Sequence, residues 1–322
     1  MKKSKQHLSC WVVTEGIAGT ENQCIGVAEA LGMRPVIKRI HLREPWKSLS
    51  PYLGMETWWA FDPLIYPPWP DILIAGGRKS IAVSRYIKKM SNEQTFTVQL
   101  QDPRIRPGNF DLVAVPAHDP LRGKNVIVTA ATPNRITDQK LKRAHEQFKD
   151  LLSPLPAPRV AVLIGGNSKT HKMSEQTVDT LIQQLKALKA GLMITVSRRT
   201  PANFRKKLRA SLHGDSIYFW DGEGENPYFG FLAYADYIIA TNDSASMLSE
   251  AATTGKPLYA INLEGGSAKF TALYDMLKNR GAMKPFNGIL EKWTYEPLND
   301  AEKVAQAIKM RMKDRFKADI PS

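Results

Sequence analysis

The sequence predicts an α/β protein built from two doubly wound domains, and three observations predict it. In the C-terminal half, short apolar runs that read as strands alternate strictly with amphipathic stretches that read as helices. The N-terminal half repeats that alternation less regularly. Between the halves lies Ser153-Pro154-Leu155-Pro156-Ala157-Pro158, whose three prolines make a semi-rigid hinge. Alternating strands and helices force a parallel, helix-covered sheet with right-handed crossovers. The expected division is residues 1–152, residues 159–299, and a C-terminal helix within 300–322 that packs on either domain, the first included.

Taken in order, Cys10 to Thr14 reads as a strand ending at Gly16. Thr20 and Gln23 read as a capping box, opening a helix through Val27, Ala28 and Leu31 to Gly32. Val36 to His41 and Asp71 to Ala75 are strands, the second ending in Gly76-Gly77, with a helix over Ile81 to Met90. Phe96 to Leu100, Asp111 to Val115 and Asn125 to Ala130 are further strands, and Asp138 to Leu152 a helix.

In the second half Arg159 to Ile164 is a strand ending in Gly165-Gly166. Ser174 caps a helix carrying Val178, Leu181, Ile182, Leu185 and Leu188, with Gly191 as its stop. Leu192 to Ser197, Ser216 to Trp220, Tyr237 to Thr241 and Leu258 to Asn262 are strands. Thr200-Pro201 places a cap before proline at a helix start, and Asn226-Pro227 opens another helix. A helix follows Thr241 and stops at Gly255, with Pro257 beyond. Ala268 to Arg280 and Asp300 to Lys317 are the last helices. Pro45 to Trp69 fits neither pattern: its seven aromatic residues read as a loop folded onto the core, or as a surface that docks an apolar acceptor or a membrane interface.

Composition narrows the function classes. With 43% hydrophobic and 24% charged residues, wholesale disorder is excluded. Two cysteines make no disulfide framework and are too few for a structural zinc site. No run approaches the roughly 18 apolar residues of a membrane-spanning helix. Leu8 to Val13 is shorter than the apolar core of a secretory signal, so a protein of a reducing cytoplasm is expected. The net charge of +14 favours phosphate-bearing partners. It is spread evenly, with 22 Lys and Arg against 14 Asp and Glu up to Leu152 and 23 against 17 beyond it, which argues against a nucleic-acid partner.

Open parallel sheets bind ligands beyond the carboxyl ends of their strands. Gly16-Ile17-Ala18-Gly19 and Gly165-Gly166-Asn167-Ser168-Lys169 both follow a strand and precede a helix, where backbone N–H groups can approach an anion. The strongest signal is Thr241-Asn242-Asp243-Ser244-Ala245-Ser246-Met247-Leu248-Ser249-Glu250, a strand that ends in small polar residues at a helix start. That geometry presents N–H groups and hydroxyls to a diphosphate, and Glu250 suits the two hydroxyls of a ribose. His118-Asp119, following a strand, is the first candidate for a general base, and Asp102 the second. No Asp-x-Asp metal motif is present, and no metal or cofactor is expected.

The stretch Asn242 to Ala251 with Gly255-Lys256-Pro257 resembles the donor-site helix of GT-B-fold glycosyltransferases. The nearer likeness is to the bacterial and plant mitochondrial-fission (elongated-mitochondria) family of proposed glycosyltransferases. It extends through Trp11, Gly16, Gly19, Asn22-Gln23, Gly76-Gly77-Arg78, Gln101-Asp102-Pro103-Arg104, Pro116-Ala117-His118-Asp119, Gly165 to Lys169, Ser197-Arg198-Arg199-Thr200 and Asn226-Pro227-Tyr228. The resemblance implies two Rossmann-like domains facing across a cleft, with a nucleotide sugar bound mainly by the second and an acceptor-side loop set of Gly16, Gly19, Asn22, Gln23, Gly76 and Gly77 in the first. By the same resemblance, Ser244, Ser246 and the Met247 N–H hold the diphosphate and Glu250 the ribose. Asp243 belongs to that same turn, Arg198 and Arg199 neutralise the leaving diphosphate, Lys169 adds a phosphate contact, and Asn226 and Tyr228 line the base or ribose pocket.

The expected activity is sugar transfer from a nucleotide-sugar donor to a cell-envelope lipid or saccharide, with peripheral contact to the inner face of an anionic cytoplasmic membrane. The alternative is a non-catalytic adaptor on the same fold. A dinucleotide-dependent epimerase is disfavoured, since GxGxxG is missing and Tyr86-Ile87-Lys88-Lys89 places lysine two and three residues after the tyrosine, not four.

Overall fold

The structure, a computed structural model, describes residues 8–316; the basic start at Met1 to His7 and Lys317, the expected end of the last helix, lie outside the described residues. The chain packs as two units, Met1–Arg135 with Asn299–Ser322, and Ile136–Leu298.

The first unit contains β1 (Cys10–Thr14), α1 (Ala18–Ala30), β2 (Val36–Arg39), β3 (His41–Leu42), α2 (Trp46–Leu49), β4 (Phe61–Asp62), β5 (Ile72–Gly76), α3 (Ser80–Met90), β6 (Phe96–Leu100), β7 (Leu112–Pro116) and β8 (Val126–Thr129). Its six-stranded sheet runs β2-β1-β5-β6-β7-β8, parallel throughout. β5, β6 and β7 are buried on both faces, which is why they read as continuous apolar runs rather than alternating ones. Strand order reverses between β1 and β5, so the loops at Gly16 and Gly76 leave the sheet on either side of one crevice. Helix Asp300–Phe316 covers this sheet: Val304, Ala305, Ile308 and Met312 share a core with Val27 of α1 and with Leu31, which follows it. Its first residue, Asp300, accepts the Ala130 and Ala131 N–H groups at 2.8 Å each.

The expected capping box does not form. α1 starts at Ala18 with Ile17 at the cap position and no side-chain cap, so Thr20 and Gln23 lie inside the helix. Their polar and methyl groups are used in packing instead. A Cβ on Gly76 would sit 2.7 Å from Thr20 Cγ2, and Gln23 Oε1 accepts from Gln101 Nε2 at 3.1 Å.

The aromatic insert divides its residues. Trp46, Phe61 and Ile65 are buried. Arg85 of α3 donates to the Pro51 and Leu53 carbonyls at 2.8 Å and pairs with Glu56, fixing the insert on the domain. Tyr52, Met55, Trp58 and Tyr66 nevertheless stay more than half exposed, at 70%, 83%, 57% and 60%.

The second unit contains α4 (Asp138–Gln147), α5 (Lys149–Leu152), β9 (Arg159–Ile164), β10 (His171–Lys172), α6 (Glu175–Ala187), β11 (Gly191–Val196), α7 (Ala202–Ser211), β12 (Ile217–Trp220), α8 (Tyr228–Tyr234), β13 (Tyr237–Thr241), α9 (Ala245–Thr253), β14 (Leu258–Ile261), β15 (Glu264–Gly265), α10 (Ala268–Asn279) and β16 (Met283–Pro285). Its six parallel strands run β12-β11-β9-β13-β14-β16, the dinucleotide-fold order with the reversal between β9 and β13. A two-stranded ladder, β10 against β15, ties the loop after β9 to the loop after β14.

Three expectations are corrected here. The boundary lies at Arg135/Ile136 and not at Leu152, because α4 and α5 find their apolar partner in α8: the His145 ring stacks on Tyr234 at 4.0 Å, and a Cβ on Gly230 would sit 2.7 Å from the Phe148 ring. The helix expected over 138–152 breaks at Phe148, which ends α4 and caps α5. Thr200 does not cap α7; Pro201 holds that position, and the Thr200 hydroxyl donates to the Gly165 carbonyl.

Candidate functional site

The carboxyl edge of the second sheet gathers the loops after β9, β11 and β13. Their centre is Asp243, whose carboxylate is fully buried. One oxygen accepts the Thr241 hydroxyl at 2.6 Å; the other accepts the Gly166 N–H at 3.1 Å and pairs with Arg199 at 2.6 Å. A buried carboxylate survives only when its oxygens are met in this way. Thr241 Oγ also accepts the Gly165 N–H at 2.7 Å. The two glycines are required by this packing: a Cβ on Gly165 would lie 2.1 Å from an Asp243 oxygen, and one on Gly166 would lie 2.2 Å from the Arg199 carbonyl. Arg199 is thereby anchored at one end while its side chain stays 41% exposed.

Asn167 and Ser168 shape the loop rather than project from it. Asn167 donates its N–H to the Arg199 carbonyl at 3.1 Å and accepts the Met173 N–H at 2.8 Å. Ser168 Oγ accepts the Thr170 and His171 N–H groups. Lys169 and Arg198 are exposed.

At the start of α9, Ser244 is the cap and its hydroxyl accepts the Met247 N–H at 3.4 Å, the amide that the sequence assigned to the diphosphate. Ser246 and Met247 are half-buried on the same turn. Glu250 lies further along α9 and accepts the Tyr228 hydroxyl at 2.6 Å. Burial first, and the Glu250 charge second, push that phenol well above its ordinary pKa, so it remains a donor. Asn226 accepts the Tyr228 N–H at 3.0 Å and starts the turn into α8. Asn226, Tyr228 and Glu250 therefore form one chain of contacts, and Gly165, Gly166, Arg199 and Asp243 another.

In the first unit, Gly16 has φ +85° and donates to Thr14 Oγ at 3.0 Å. Beside it Arg39 binds Glu21 through two nitrogens at 2.8 and 2.7 Å, which holds the Glu21 carboxyl below its usual range. Gly19 and Asn22 lie in the first turns of α1, where Thr20 between them packs against Gly76. Asp102 accepts the Arg104 N–H at 2.7 Å, and His118-Asp119 sits in a turn where Asp119 N–H meets the Pro116 carbonyl at 2.9 Å and Arg122 reaches the Asp119 carbonyl at 2.6 Å.

Sequence reasoning missed His171 and Tyr274, which are more than 100 residues apart in sequence yet bonded at 3.0 Å, and so leave no local pattern. Among the described residues, no group of three or more His, Cys, Asp or Glu is arranged to hold a metal ion, and no helix is long and apolar enough to cross a membrane.

Two parallel sheets with their polar loops at the carboxyl edges define a GT-B-like α/β protein. The profile of the family described as Mitochondrial fission ELM1 matches residues 18–312, and the chain belongs to that family. The mitochondrial fission protein ELM1 of Arabidopsis thaliana is 32% identical over 76% of this chain and 65% of that protein, so the chain spans about two thirds of the plant relative's length. Protein RP120 of Rickettsia prowazekii is 29% identical over 76% of this chain and 80% of that one. Among solved structures, a Listeria monocytogenes protein described as a candidate UDP-N-acetylglucosamine 2-epimerase superposes with a TM-score of 0.55 over 98% of this chain and 99% of that chain, at 12% identity, a likeness of fold.

Proposed function

We propose that the second unit binds a nucleotide sugar at the start of α9 and that the protein transfers the sugar to a cell-envelope lipid or saccharide. The observation that carries this reading is Glu250, fixed by Tyr228 on the helix whose start adjoins the Gly165-Gly166 loop and Arg199. A carboxylate offers about four acceptor sites, a geometry suited to the paired hydroxyls of a ribose. A diphosphate at the helix start meets the positive end of the helix, and Arg199 faces it, with Arg198 next to it in sequence and Lys169 on the loop that begins Gly165-Gly166. These groups balance the charge of the departing nucleoside diphosphate, and the donor is a substrate rather than a cofactor. The fold neighbour's name supports UDP as the first nucleotide to try.

For an inverting transfer, the His118-Asp119 turn supplies the base that deprotonates the acceptor hydroxyl. The exposed Tyr52, Met55, Trp58 and Tyr66, on a chain of net charge +14, fit peripheral contact with the inner face of an anionic cytoplasmic membrane.

Thermal shift against UDP, GDP, ADP and CMP tests the site, because a ligand that binds only the folded state raises its melting temperature. A rise with one nucleotide, abolished by Glu250→Ala, is expected; a rise that Glu250→Ala leaves intact refutes the assignment. Hydrolysis of the matching nucleotide sugar, lost in Arg198→Ala, separates enzyme from adaptor. The adaptor reading draws on one observation: Arg199 and the Met247 N–H are both engaged by Asp243 and Ser244. It predicts nucleotide binding with no turnover.

A further inference from the structure

A second hydrogen-bonded chain runs behind the start of α9. The Tyr274 hydroxyl of α10 donates to the Asn242 carbonyl at 2.6 Å, so toward His171 its oxygen is an acceptor. His171 Nε2, 3.0 Å away, therefore carries the proton, and Nδ1 accepts the Thr170 hydroxyl at 3.0 Å. His171 is 2% exposed, and its ring meets the Phe270 ring edge-on at 4.6 Å. Burial pushes its pKa down, in keeping with a neutral ring.

Asn242 is held on every side. Its N–H meets the Ile261 carbonyl at 3.0 Å, its side-chain nitrogen donates to Asn262 at 3.2 Å, and its side-chain oxygen accepts the Leu263 N–H at 3.0 Å. The next residue is Asp243, which anchors Arg199, and the one after is Ser244, which caps α9. The ladder of β10 on β15 closes the circuit, with Gly266 N–H on the Thr170 carbonyl at 2.7 Å.

We infer that Tyr274, backed by His171, is a positioning residue for the nucleotide diphosphate: it fixes the Asn242-Asp243 peptide, and through it both the Arg199 guanidinium and the first turn of α9. This rests on the donor-site reading above. The Tyr274 hydroxyl donates to the Asn242 carbonyl and to no group proposed to meet the ligand, so its hydrogen bond acts on the site through that peptide. Removing the hydroxyl leaves that carbonyl and the His171 N–H without partners, and both must shift to find water.

The test compares Tyr274→Phe, Glu250→Ala and wild type for UDP binding by calorimetry. Deuterium uptake of the 241–250 segment is followed in the unliganded proteins. Tyr274→Phe is expected to weaken UDP binding about tenfold, the effect of one lost hydrogen bond in a buried network. Exchange should rise at 241–250 while β9 keeps its protection. A merely structural role predicts loosening throughout the unit with an unchanged Kd in the folded protein. Wild-type affinity in Tyr274→Phe overturns the inference while leaving the site reading intact, provided Glu250→Ala still loses binding. Absence of binding by wild type to UDP, GDP, ADP and CMP alike overturns both. Should Tyr274→Phe fail to fold, His171→Asn is read the same way, with the same direction of shift expected and an unchanged Kd counting against the inference.

Discussion

Asp243 shows how much of this edge is decided by single side chains. A carboxylate with no exposure is tolerated because Thr241, Gly166 and Arg199 meet it, and Gly165, lacking a Cβ, leaves room for it. Gly165→Ala places a methyl 2.1 Å from the carboxylate and must expel it from its partners. Since breaking a buried pair costs several kcal/mol, a loss of about 3 kcal/mol is expected in chemical denaturation, against less than about 1 kcal/mol for Gly108→Ala, where an added methyl meets nothing within 4 Å. The residue types were legible: glycines after a strand, Asp and Ser before a helix, Glu along it. Their use was not. Gly165 and Gly166 read as a phosphate cradle, and the structure shows them making way for Asp243 and the Arg199 backbone. A glycine required by a ligand and one required by a carboxylate look alike in sequence.

At the scale of elements, strands and most helix starts follow from local signals. Ser174, Ser244 and Ser267 each cap the helix that follows, by accepting an N–H three residues on. The misreadings arise where tertiary packing outweighs a local pattern. Thr20 and Gln23 match a capping box, yet the cap falls three residues earlier, at Ile17, and Thr20 packs against Gly76. The circuit joining β10, α10 and the start of α9 was invisible because its partners are far apart in sequence. It carries a pH dependence. His171 is held neutral, so the unfolded chain binds the extra proton first, and stability is full above the ordinary histidine pKa of about 6.5 and declines as pH falls below it. Asp243 opposes this shift and Arg199 reinforces it. The melting temperature is expected to fall from pH 7 to pH 5, and scanning calorimetry should find a shallower fall in His171→Asn; equal slopes contradict the account.

For the whole molecule, alternation of strands and helices was enough to predict two parallel sheets, because crossover handedness leaves few alternatives. The boundary was misplaced for a physical reason. Three prolines looked like a hinge, but a stiff segment joins elements within a unit as readily as between units, and α8 supplies the apolar partner that draws α4 and α5 across. The aromatic insert was half legible: its residues could serve core or surface, and Arg85 secures it with Met55 and Trp58 outside. If that surface meets lipid, flotation with anionic liposomes is expected for wild type and reduced several-fold in the Trp58→Ala/Trp59→Ala double variant, each exposed aromatic contributing on the order of 1 kcal/mol or more through its buried area. Unchanged flotation retires the membrane contact without touching the donor site.

The central claim is that a nucleotide diphosphate docks at the start of α9. A crystal structure of the protein soaked with UDP tests it most directly. The account predicts phosphate density within hydrogen-bonding distance of the Ser244 to Met247 turn and of Arg199, with ribose hydroxyls on Glu250. Nucleotide bound elsewhere on the chain, with Ser244 still closing that turn and no ribose on Glu250, would contradict it.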